Sequence, residues 1–456
     1  MNNSVNKRTV LFIAALSFFL TTFMGSSINI ALPSIGREFQ MDAVLLGWVA
    51  TAYILASATC LLPFGRLADI YGRKRILTCG IFTFTIASLL SAFAPSATVL
   101  IALRFLQGIG SAMIFATGIA ILTSVFPVGE RGKALGITVA MTYLGLSLGP
   151  VLGGLLTQHF GWRSIFLVVV PLGATIIALI FGKMKGEWAE ARGEKFDLTG
   201  SVIYGLALTG IIYGFSLLPA KLGIWLIIMG ASGIFAFVKR QMKVKSPLLN
   251  INLFRKNRVF AFSNLAVLLN YSAAFAVAFL LSLYLQYIKG LSPQSAGLIL
   301  VAMPAVQASF SPVAGRLSDR IEPRILTSVG MGLIAVGLSL LISLSEKTSL
   351  GFIIASLILI GLGFGFFTSP NTNAIMSSVK QRFYGVASAT LATMRQIGMS
   401  FSMGIAMLLF AIYIGRVEIT PEYYSSFLSS TKIAFIIFTA LCSAGIFASL
   451  ARGKTR

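Results

Sequence analysis

Long apolar segments alternate with short polar connections along the whole chain. Fourteen segments can be delimited, and each approaches the roughly 20 residues that a helix needs to cross the hydrocarbon core of a bilayer. They are Thr9–Leu32, Val44–Phe64, Ile76–Phe93, Val99–Leu122, Ala134–Leu156, Ile165–Phe181, Leu198–Leu218, Leu222–Val238, Val259–Leu285, Ala296–Ala314, Ile325–Leu344, Leu350–Phe367, Gly385–Ile414 and Ile433–Leu450. The pattern predicts fourteen transmembrane helices joined by short loops.

The composition supports the same class of protein. Of 456 residues, 57% are hydrophobic and 11% are charged, whereas soluble domains carry about 25% charged residues. The connections leave no room for an enzymatic domain, and the chain contains neither a phosphate-binding loop nor a clustered set of metal ligands. We therefore predict an all-α polytopic membrane protein that is not an enzyme and binds no metal or other cofactor.

The formal charge of +23 is explained by its distribution among the loops. With the N-terminus in the cytoplasm, 27 of the 36 lysines and arginines lie on the cytoplasmic side and 7 on the other. This asymmetry is typical of membrane proteins, and removing the short eighth segment would destroy it. We predict a multi-pass protein of the cell membrane with both termini cytoplasmic. Its predicted partner is the lipid bilayer, and no binding of nucleic acid is expected.

An internal repeat divides the chain. The sequence Gly65–Asp69 follows the second segment, and the similar Gly315–Asp319 follows the tenth, 250 residues later. Parallel six-helix halves around a central site are typical of transporters that rock between two states. The sequence therefore predicts a six-helix bundle over residues 1–182, a cytoplasmic loop and two inserted helices over 183–258, and a second six-helix bundle over 259–456.

Three motifs resemble those of the major facilitator superfamily. Gly65–Arg75 looks like its loop 2–3 motif, Leu103–Gly110 resembles R-x-x-Q-G-x-G, and Gly145–Gly154 resembles the antiporter motif G-x-x-x-G-P-x-x-G-G. Shorter elements are similar to pieces of its fourteen-helix drug/proton antiporter family, and these are Asn29–Pro33, Trp48–Tyr53 and Gly161–Phe166.

The resemblance implies a major facilitator fold and the export of small, often lipophilic compounds against an inward proton flow. Small-molecule substrates and protons would be the partners, the proton gradient would be the energy source, and the protein would work as a monomer. Two other interpretations remain open. One is an exporter or facilitator of an anionic or neutral metabolite with weak or no proton coupling, and the other is a non-transporting membrane sensor.

The loop 2–3 motif predicts an inner-gate latch, by which we mean a contact that closes the cytoplasmic side. Asp69 is expected to face the N-terminus of helix thirteen near Gly385, where backbone N–H groups carry positive partial charge. Arg73, four residues on, is expected to brace the Asp69 carboxylate. Asp319 would act in the same way on helix five near Ala134. The glycines of this predicted latch are Gly65, Gly72 and Gly315.

Small residues recur every four positions in helix five, and this spacing lets a neighbouring helix approach closely. We expect them to form a sliding face between the two halves, beside a bend at Pro150. The residues of this antiporter motif are Gly145, Gly149, Pro150, Gly153 and Gly154.

Arg104 and Arg395 are the two basic residues placed inside helices. Intramembrane charges are costly and by default mark a pathway or a polar partner. Both arginines are therefore candidates for the substrate or coupling pathway, together with Gln107 of the R-x-x-Q-G-x-G motif. A structural role for Arg104, with hydrogen bonds to backbone carbonyls of helix one, is the alternative.

The chain departs from the family at Met24, where an acidic residue of helix one is usual. All thirteen acidic residues lie in loops or at helix ends. The embedded charge is therefore positive, which favours neutral, zwitterionic or anionic substrates over dications. Proton coupling would have to use Asp69 or another carboxylate at the edge of the membrane.

Several other polar residues within the segments are expected to line the central cavity. The run Thr368–Asn373 follows a glycine-rich stretch and is predicted to form irregular polar backbone near the inner end of helix twelve, which a membrane protein tolerates only against protein or water. The cavity candidates are Asn29, Tyr53, Tyr143, Asn264, Asn270, Tyr271, Gln307, Asn371, Asn373 and Gln396.

Overall fold

The computed structural model of the chain describes residues 6–318, 320–380 and 384–453. Fourteen helices within these ranges are long and apolar enough to cross a membrane, which confirms the predicted number. They are α1 Lys7–Phe39, α2 Ala43–Tyr71, α3 Arg73–Ala92, α4 Ala97–Val125, α5 Val128–Phe160, α6 Arg163–Lys183, α7 Leu198–Leu217, α8 Lys221–Gln241, α9 Arg258–Ile288, α10 Pro293–Leu317, α11 Pro323–Leu341, α12 Leu350–Ser377, α13 Tyr384–Tyr413 and α14 Pro421–Ala451.

Side-chain caps explain where many of these helices begin. The Asp42 carboxylate accepts a hydrogen bond from the N–H of Leu45 at the start of α2 (2.7 Å), and Asn257 caps α9 in the same way through Phe260 (2.9 Å). Such caps satisfy backbone donors that have no partner within the helix. Asn6, Ser96, Asp197, Ser292 and Ser349 cap α1, α4, α7, α10 and α12.

Several helices extend beyond the apolar segments that predicted them. The largest difference is at α14, which begins at Pro421 rather than at Ile433. The prediction of irregular backbone over Thr368–Asn373 is wrong, because α12 continues as an α-helix through Pro370 to Ser377. Hydropathy measures apolar content, whereas a helix continues through polar residues wherever its own backbone hydrogen bonds are made.

Two six-helix bundles share one packing pattern. In the first bundle α1 packs on α5 and α6, α2 packs on α4, and α3 packs on α4 and α6. In the second bundle α9 packs on α13 and α14, α10 packs on α12, and α11 packs on α12 and α14. Each pair in the first bundle thus has its counterpart eight helices later. This repetition confirms the predicted architecture of two six-helix bundles, although their residue boundaries remain predictions.

The inserted hairpin of α7 and α8 lies beside the seam between the bundles. Helix α7 packs on α2 of the first bundle and on α13 of the second. The Tyr204 hydroxyl donates a hydrogen bond to the carbonyl of Ala58 in α2 (2.9 Å), and the Phe215 ring contacts Phe401 of α13 (6.2 Å between centroids). Helix α8 leaves large apolar side chains exposed, including Trp225 and Phe235, as a lipid-facing helix does.

Candidate functional site

The two bundles are joined at the end of the molecule that carries the connections α1–α2, α5–α6, α9–α10 and α13–α14, called the closed end below. Here the N–H of Ala43 donates to the carbonyl of Val417 (3.0 Å), and Gln286 donates to the carbonyl of Ile30 (3.0 Å). Helices α5 and α10 touch so closely that a Cβ on Gly154 would lie 3.0 Å from Cα of Gln294. Backbone and side chains together seal this end of the seam.

Contacts between the bundles continue to the middle of the membrane. The Gln396 amide of α13 donates to the Ser57 hydroxyl of α2 (2.9 Å), and both are buried. On the other side of the seam, the hydroxyls of Tyr143 in α5 and Ser311 in α10 lie 3.0 Å apart. Ser311 is also 3.1 Å from the Ser369 hydroxyl of α12, so a chain of hydroxyl groups crosses the seam.

The opposite end, called the open end below, lacks such contacts. Among the described residues, no hydrogen bond or ion pair joins the first bundle directly to the second here. Nothing lies within 4 Å of a Cβ built on Gly132 or Gly136 of α5, or on Gly385 at the start of α13. The bundles therefore diverge from the middle of the membrane towards this end.

The predicted latch contact between Asp69 and α13 is absent from this arrangement. Nothing lies within 4 Å of a Cβ built on Gly385, because the halves are apart at this end. Asp69 instead accepts two hydrogen bonds from the Arg73 guanidinium, 3.0 and 2.8 Å long. Arg73 also donates to the Ser124 hydroxyl of α4 (2.7 Å). The predicted counterpart Asp319 lies outside the described residues, and neighbouring Gly315 packs near Ser369.

The connection between α6 and α7, residues 184–197 and called the linker below, clamps this motif. Glu190 binds Arg73 (2.7 Å), and the N–H of Ala191 donates to the backbone carbonyl of Asp69 (2.9 Å). The Glu187 carboxylate accepts hydrogen bonds from the N–H groups of Lys74 and Arg75 at 2.8 and 3.3 Å. It thus places a negative charge at the N-terminus of α3, where the helix dipole stabilises it.

Gly72 makes this close approach of the linker possible. Its φ of 122° lies in a region that L-residues rarely adopt, and a Cβ there would lie 2.8 Å from Cγ of Glu187. The sequence signal for Gly72 was found as part of the loop 2–3 motif. The acidic residues that meet the motif were missed, because their contact depends on the path of the linker and not on a local pattern.

Two further carboxylates of the linker are paired. Glu194 forms an ion pair with Arg66, and the hydrogen bond from Ser246 together with the charge of Arg66 lowers the pKa of Glu194. Burial raises the pKa of Asp197, but hydrogen bonds from Arg240, Gly200 and Gln241 outweigh that effect and leave the pKa below its ordinary value. Asp197 thereby ties the start of α7 to the end of α8.

The glycines of the antiporter motif in α5 pack against two different helices, α1 and α10. A Cβ on Gly145 would lie 2.7 Å from the carbonyl oxygen of Phe19, and one on Gly153 would lie 2.8 Å from Cβ of Ser27. Gly145, Gly149 and Gly153 therefore pack against α1 of the same bundle, which differs from the predicted sliding face. Gly154 contacts α10 across the seam, and Pro150 meets Gly297 of α10.

Arg104 is completely buried within the first bundle. Its Nε donates to the carbonyl of Val49 in α2 (3.0 Å), and its guanidinium bonds the Gln107 side chain and lies 4.5 Å from the centroid of the Tyr53 ring. Gln107 in turn donates to Ser88 (2.7 Å). The Tyr53 hydroxyl bonds Ser111 (2.8 Å). This cluster joins α2, α3 and α4, and the carbonyl acceptor belongs to α2 rather than to α1.

Arg395 occupies a different environment near the middle of α13. Its side chain is only partly buried, and its guanidinium carbon lies 5.2 Å from the centroid of the Tyr271 ring in α9. The buried Nε has no hydrogen-bond partner. Tyr143 of the other bundle is close enough to interact electrostatically with both Arg395 and Tyr271. We call Arg395, Tyr271, Tyr143, Ser311 and Ser369 the central site.

The asparagines of α12 lie in a polar cluster away from the central site. Asn371 is buried and accepts a hydrogen bond from Arg452 at the end of α14 (2.9 Å). Arg452 also bonds Ser263 (3.1 Å) and Thr327 (2.7 Å), and thus connects α9, α11, α12 and α14. Asn373 donates to Ser318 (3.0 Å). Sequence reasoning missed Arg452, because a basic residue after the last apolar segment was counted as a loop charge.

The remaining candidates are buried and line no described opening. The Ser282 hydroxyl donates a hydrogen bond across the seam to the backbone carbonyl of Asn29 (2.6 Å), and the Asn264 amide donates to the carbonyl of Phe260 (2.9 Å). Both polar atoms of the Asn270 side chain are buried without a partner, while Gln307 of α10 is buried with its side chain beside the Tyr143 hydroxyl of the central site. Met24 is fully enclosed in the apolar core. Within the described ranges, no cluster of three or more His, Cys, Asp or Glu side chains could hold a metal ion.

Known proteins resemble the chain along most of its length. The family model described as Major Facilitator Superfamily matches residues 14–403. The riboflavin transporter RibZ of Clostridioides difficile (strain 630) is 31% identical over 445 residues, which are 96% of each chain. The multidrug resistance protein Stp of Mycobacterium tuberculosis (strain CDC 1551 / Oshkosh) is 30% identical over 404 residues, covering 87% of this chain and 74% of Stp.

The fold is also found in a solved structure. A bacterial homologue of the human lysosomal transporter Spinster, crystallised in an inward-facing and occupied conformation, aligns with a TM-score of 0.66. The alignment covers 97% of this chain and 96% of that one at 16% sequence identity. The likeness extends to both bundles and is one of fold alone.

Proposed function

Because the chain belongs to the Major Facilitator Superfamily, we propose that it is a secondary active exporter of small, lipophilic, drug-like compounds that works by alternating access. The observation that carries the proposal is the seam between the bundles, which is sealed at one end and free at the other. Rocking of one bundle against the other around a site in mid-membrane is how such folds move substrates.

The distribution of basic residues supports a direction for the proposed transport. With 27 lysines and arginines on the side of the termini and 7 on the other, the positive-inside rule assigns the open end to the cytoplasm. We propose a multi-pass protein of the cell membrane with both termini cytoplasmic. In the present state it would load substrate from the cytoplasm, as an exporter must.

The proposed energy source is the proton gradient. The carboxylate best placed for coupling is that of Asp69, which is partly exposed at the open end and held by Arg73. Protonation of Asp69 would weaken this ion pair and free Arg73 to move with the linker. We further propose that the protein works as a monomer without a bound cofactor, since one chain supplies both bundles and the seam.

A second candidate function is the transport of a planar aromatic metabolite such as riboflavin, with weak or no proton coupling. The match to RibZ over 96% of both chains favours it, and so does the Tyr271 ring beside Arg395, next to which a planar ring can pack. The comparison of riboflavin with drug-like compounds in the same vesicles distinguishes the two candidates.

Everted membrane vesicles from a host without its own drug pumps test the main proposal. Energised vesicles are expected to accumulate the neutral dye phenylnaphthylamine, and Asp69→Asn is expected to reduce energised accumulation by at least about tenfold, a change of about 1.4 kcal/mol. Glu422→Gln, which alters an exposed acid at the start of α14, is the matched control. The exporter proposal fails if a broad compound panel, riboflavin included, shows no energy-dependent movement although the protein is present.

A further inference from the structure

We propose that the Arg395 guanidinium binds an acidic group of the substrate, so that the central site selects aromatic anions such as sulfonates and carboxylates. This inference rests on the proposed export function and names the class of compound that the site takes. It is carried by the contacts of Arg395, by the contrast with the buried arginines Arg104 and Arg452, and by the placement of the acidic residues.

Arg395 has donors without acceptors. Its Nε is buried and unpaired, and within the described ranges no hydrogen bond or ion pair is made by any of its nitrogen atoms. Since the side chain is only partly buried, its terminal nitrogens remain accessible within the bundle. A guanidinium presents its N–H groups in a planar fork that matches the two oxygens of a carboxylate or the oxygens of a sulfonate. The site is therefore able to accept an anion.

Arg104 and Arg452, whose side chains are almost completely buried, behave differently. Arg104 bonds Val49 and Gln107, and Arg452 bonds three side chains from three helices. These hydrogen bonds hold their bundles together, although Nη2 of Arg104 and Nε of Arg452 are also buried without a partner. Partial burial of the Arg395 charge is energetically costly, and no hydrogen bond to the protein offsets that cost. An anionic ligand would supply the missing acceptors.

The surroundings of Arg395 suit an aromatic compound. Gly398 brings α9 against α13, because a Cβ there would lie 2.7 Å from the carbonyl oxygen of Leu268 and 2.9 Å from Cβ of Tyr271. The Tyr271 ring is thus placed beside the guanidinium, and the centroid of the Phe364 ring lies 5.7 Å from that of Tyr271. Tyr143 approaches from the other bundle. A planar ring bound here would pack beside these aromatic side chains, which are themselves mostly buried, while its acidic group meets Arg395.

No carboxylate among the described residues competes for this cation. The described acids within helices are confined to helix ends, where Glu38, Asp69, Glu130 and Glu422 lie. Met24, at the position where the family usually has an acid, is sealed in the apolar core. A cationic substrate would meet positive charge without compensation, whereas an anion would be neutralised.

Binding to the protein in lipid nanodiscs tests the inference with a matched pair of dyes. Anilinonaphthalene sulfonate and phenylnaphthylamine share their ring system, and only the former carries a negative charge. Arg395→Gln is expected to raise the Kd of the sulfonate at least about tenfold, a change of about 1.4 kcal/mol, and that of the neutral amine less than twofold. Arg395→Lys should retain part of the affinity. Arg416→Gln, which alters an exposed arginine in a loop, should change neither Kd.

Unaltered binding of the neutral amine shows that the Arg395 variants are folded. The inference is wrong if the wild-type protein does not bind the sulfonate above empty nanodiscs, or if Arg395→Gln changes both dissociation constants equally or neither. Accumulation of both dyes in energised vesicles distinguishes a failure of this inference from a failure of the exporter proposal. Accumulation of the amine, with sulfonate binding independent of Arg395, overturns only the anion site. Arg395-dependent sulfonate binding without accumulation of either dye overturns only the exporter.

Discussion

Three arginines among the packed helices show how one residue type serves different purposes. Arg104 uses a backbone carbonyl, an amide and an aromatic ring to join α2 and α4, and Arg452 joins four helices through side-chain acceptors. Arg395 has a ring beside it and no hydrogen bond within the described ranges. The first two are therefore expected to matter for stability and the third for ligand binding.

Substitution of these arginines by methionine should separate the two roles. Arg104→Met removes the donor that satisfies the buried side-chain oxygen of Gln107, and an unsatisfied buried group costs about 1–3 kcal/mol. We expect a clear fall in the melting temperature of the detergent-solubilised protein. Arg395→Met should leave the melting temperature unchanged or raise it, because no hydrogen bond is lost. Equal falls for the two variants would contradict this assignment.

At the scale of single elements, close helix contacts and the linker determine how the parts of the molecule are held. The glycines of α5 face α1 within one bundle, and Gly154 with Pro150 faces α10 of the other. The linker fixes the Asp69–Arg73 pair through Glu190. Asp197 joins the ends of α7 and α8 through Arg240 (2.7 Å) and Gln241 (2.9 Å).

The contact of Asp197 predicts a pH dependence of stability. Because the folded state holds the pKa of Asp197 below its ordinary value of 3.8, its contribution is complete above that value and is lost as pH falls through the lowered pKa. We expect Asp197→Asn to cost about 1–2 kcal/mol near neutral pH. The difference in melting temperature between variant and wild type should shrink below about pH 4. A difference that stays constant on acidification would refute the assignment, and Asp42→Asn, a cap without a cationic partner, is the control.

The elements could be predicted where the cause is local. Fourteen spans follow from apolar content, and the Asp69–Arg73 pair follows from a spacing of four residues in the loop 2–3 motif, which places Asp69 in the last turn of α2 and Arg73 at the start of α3. The ends of α12 and α14 could not be predicted in this way, because polar residues continue both helices. The contacts of Glu187 and Glu190 depend on the folded path of the linker. The absence of the Asp69–α13 contact depends on which of two states the bundles adopt, and one sequence encodes both.

At the scale of the whole molecule, the contacts along the seam between the bundles determine which end of the protein is open. Helices α2 and α13 and helices α5 and α10 are joined at the closed end and in mid-membrane, while the same helices are apart at the open end. Interfaces of this kind switch between discrete arrangements rather than deform gradually. Alternating access therefore requires a second state, in which the open end closes, the closed end separates, and Asp69 approaches α13.

Distances between spin labels at both ends measure this directly. Labels are attached to cysteines at Gly132 and Gly385 for the open end and at Phe160 and Ser295 for the closed end, in a chain whose native cysteines Cys60, Cys79 and Cys442 are replaced. In lipid vesicles, substrate or a proton gradient should shorten the first distance and lengthen the second in the same fraction of molecules. Distances that stay fixed under all conditions, or that change in the same direction at both ends, would contradict alternating access.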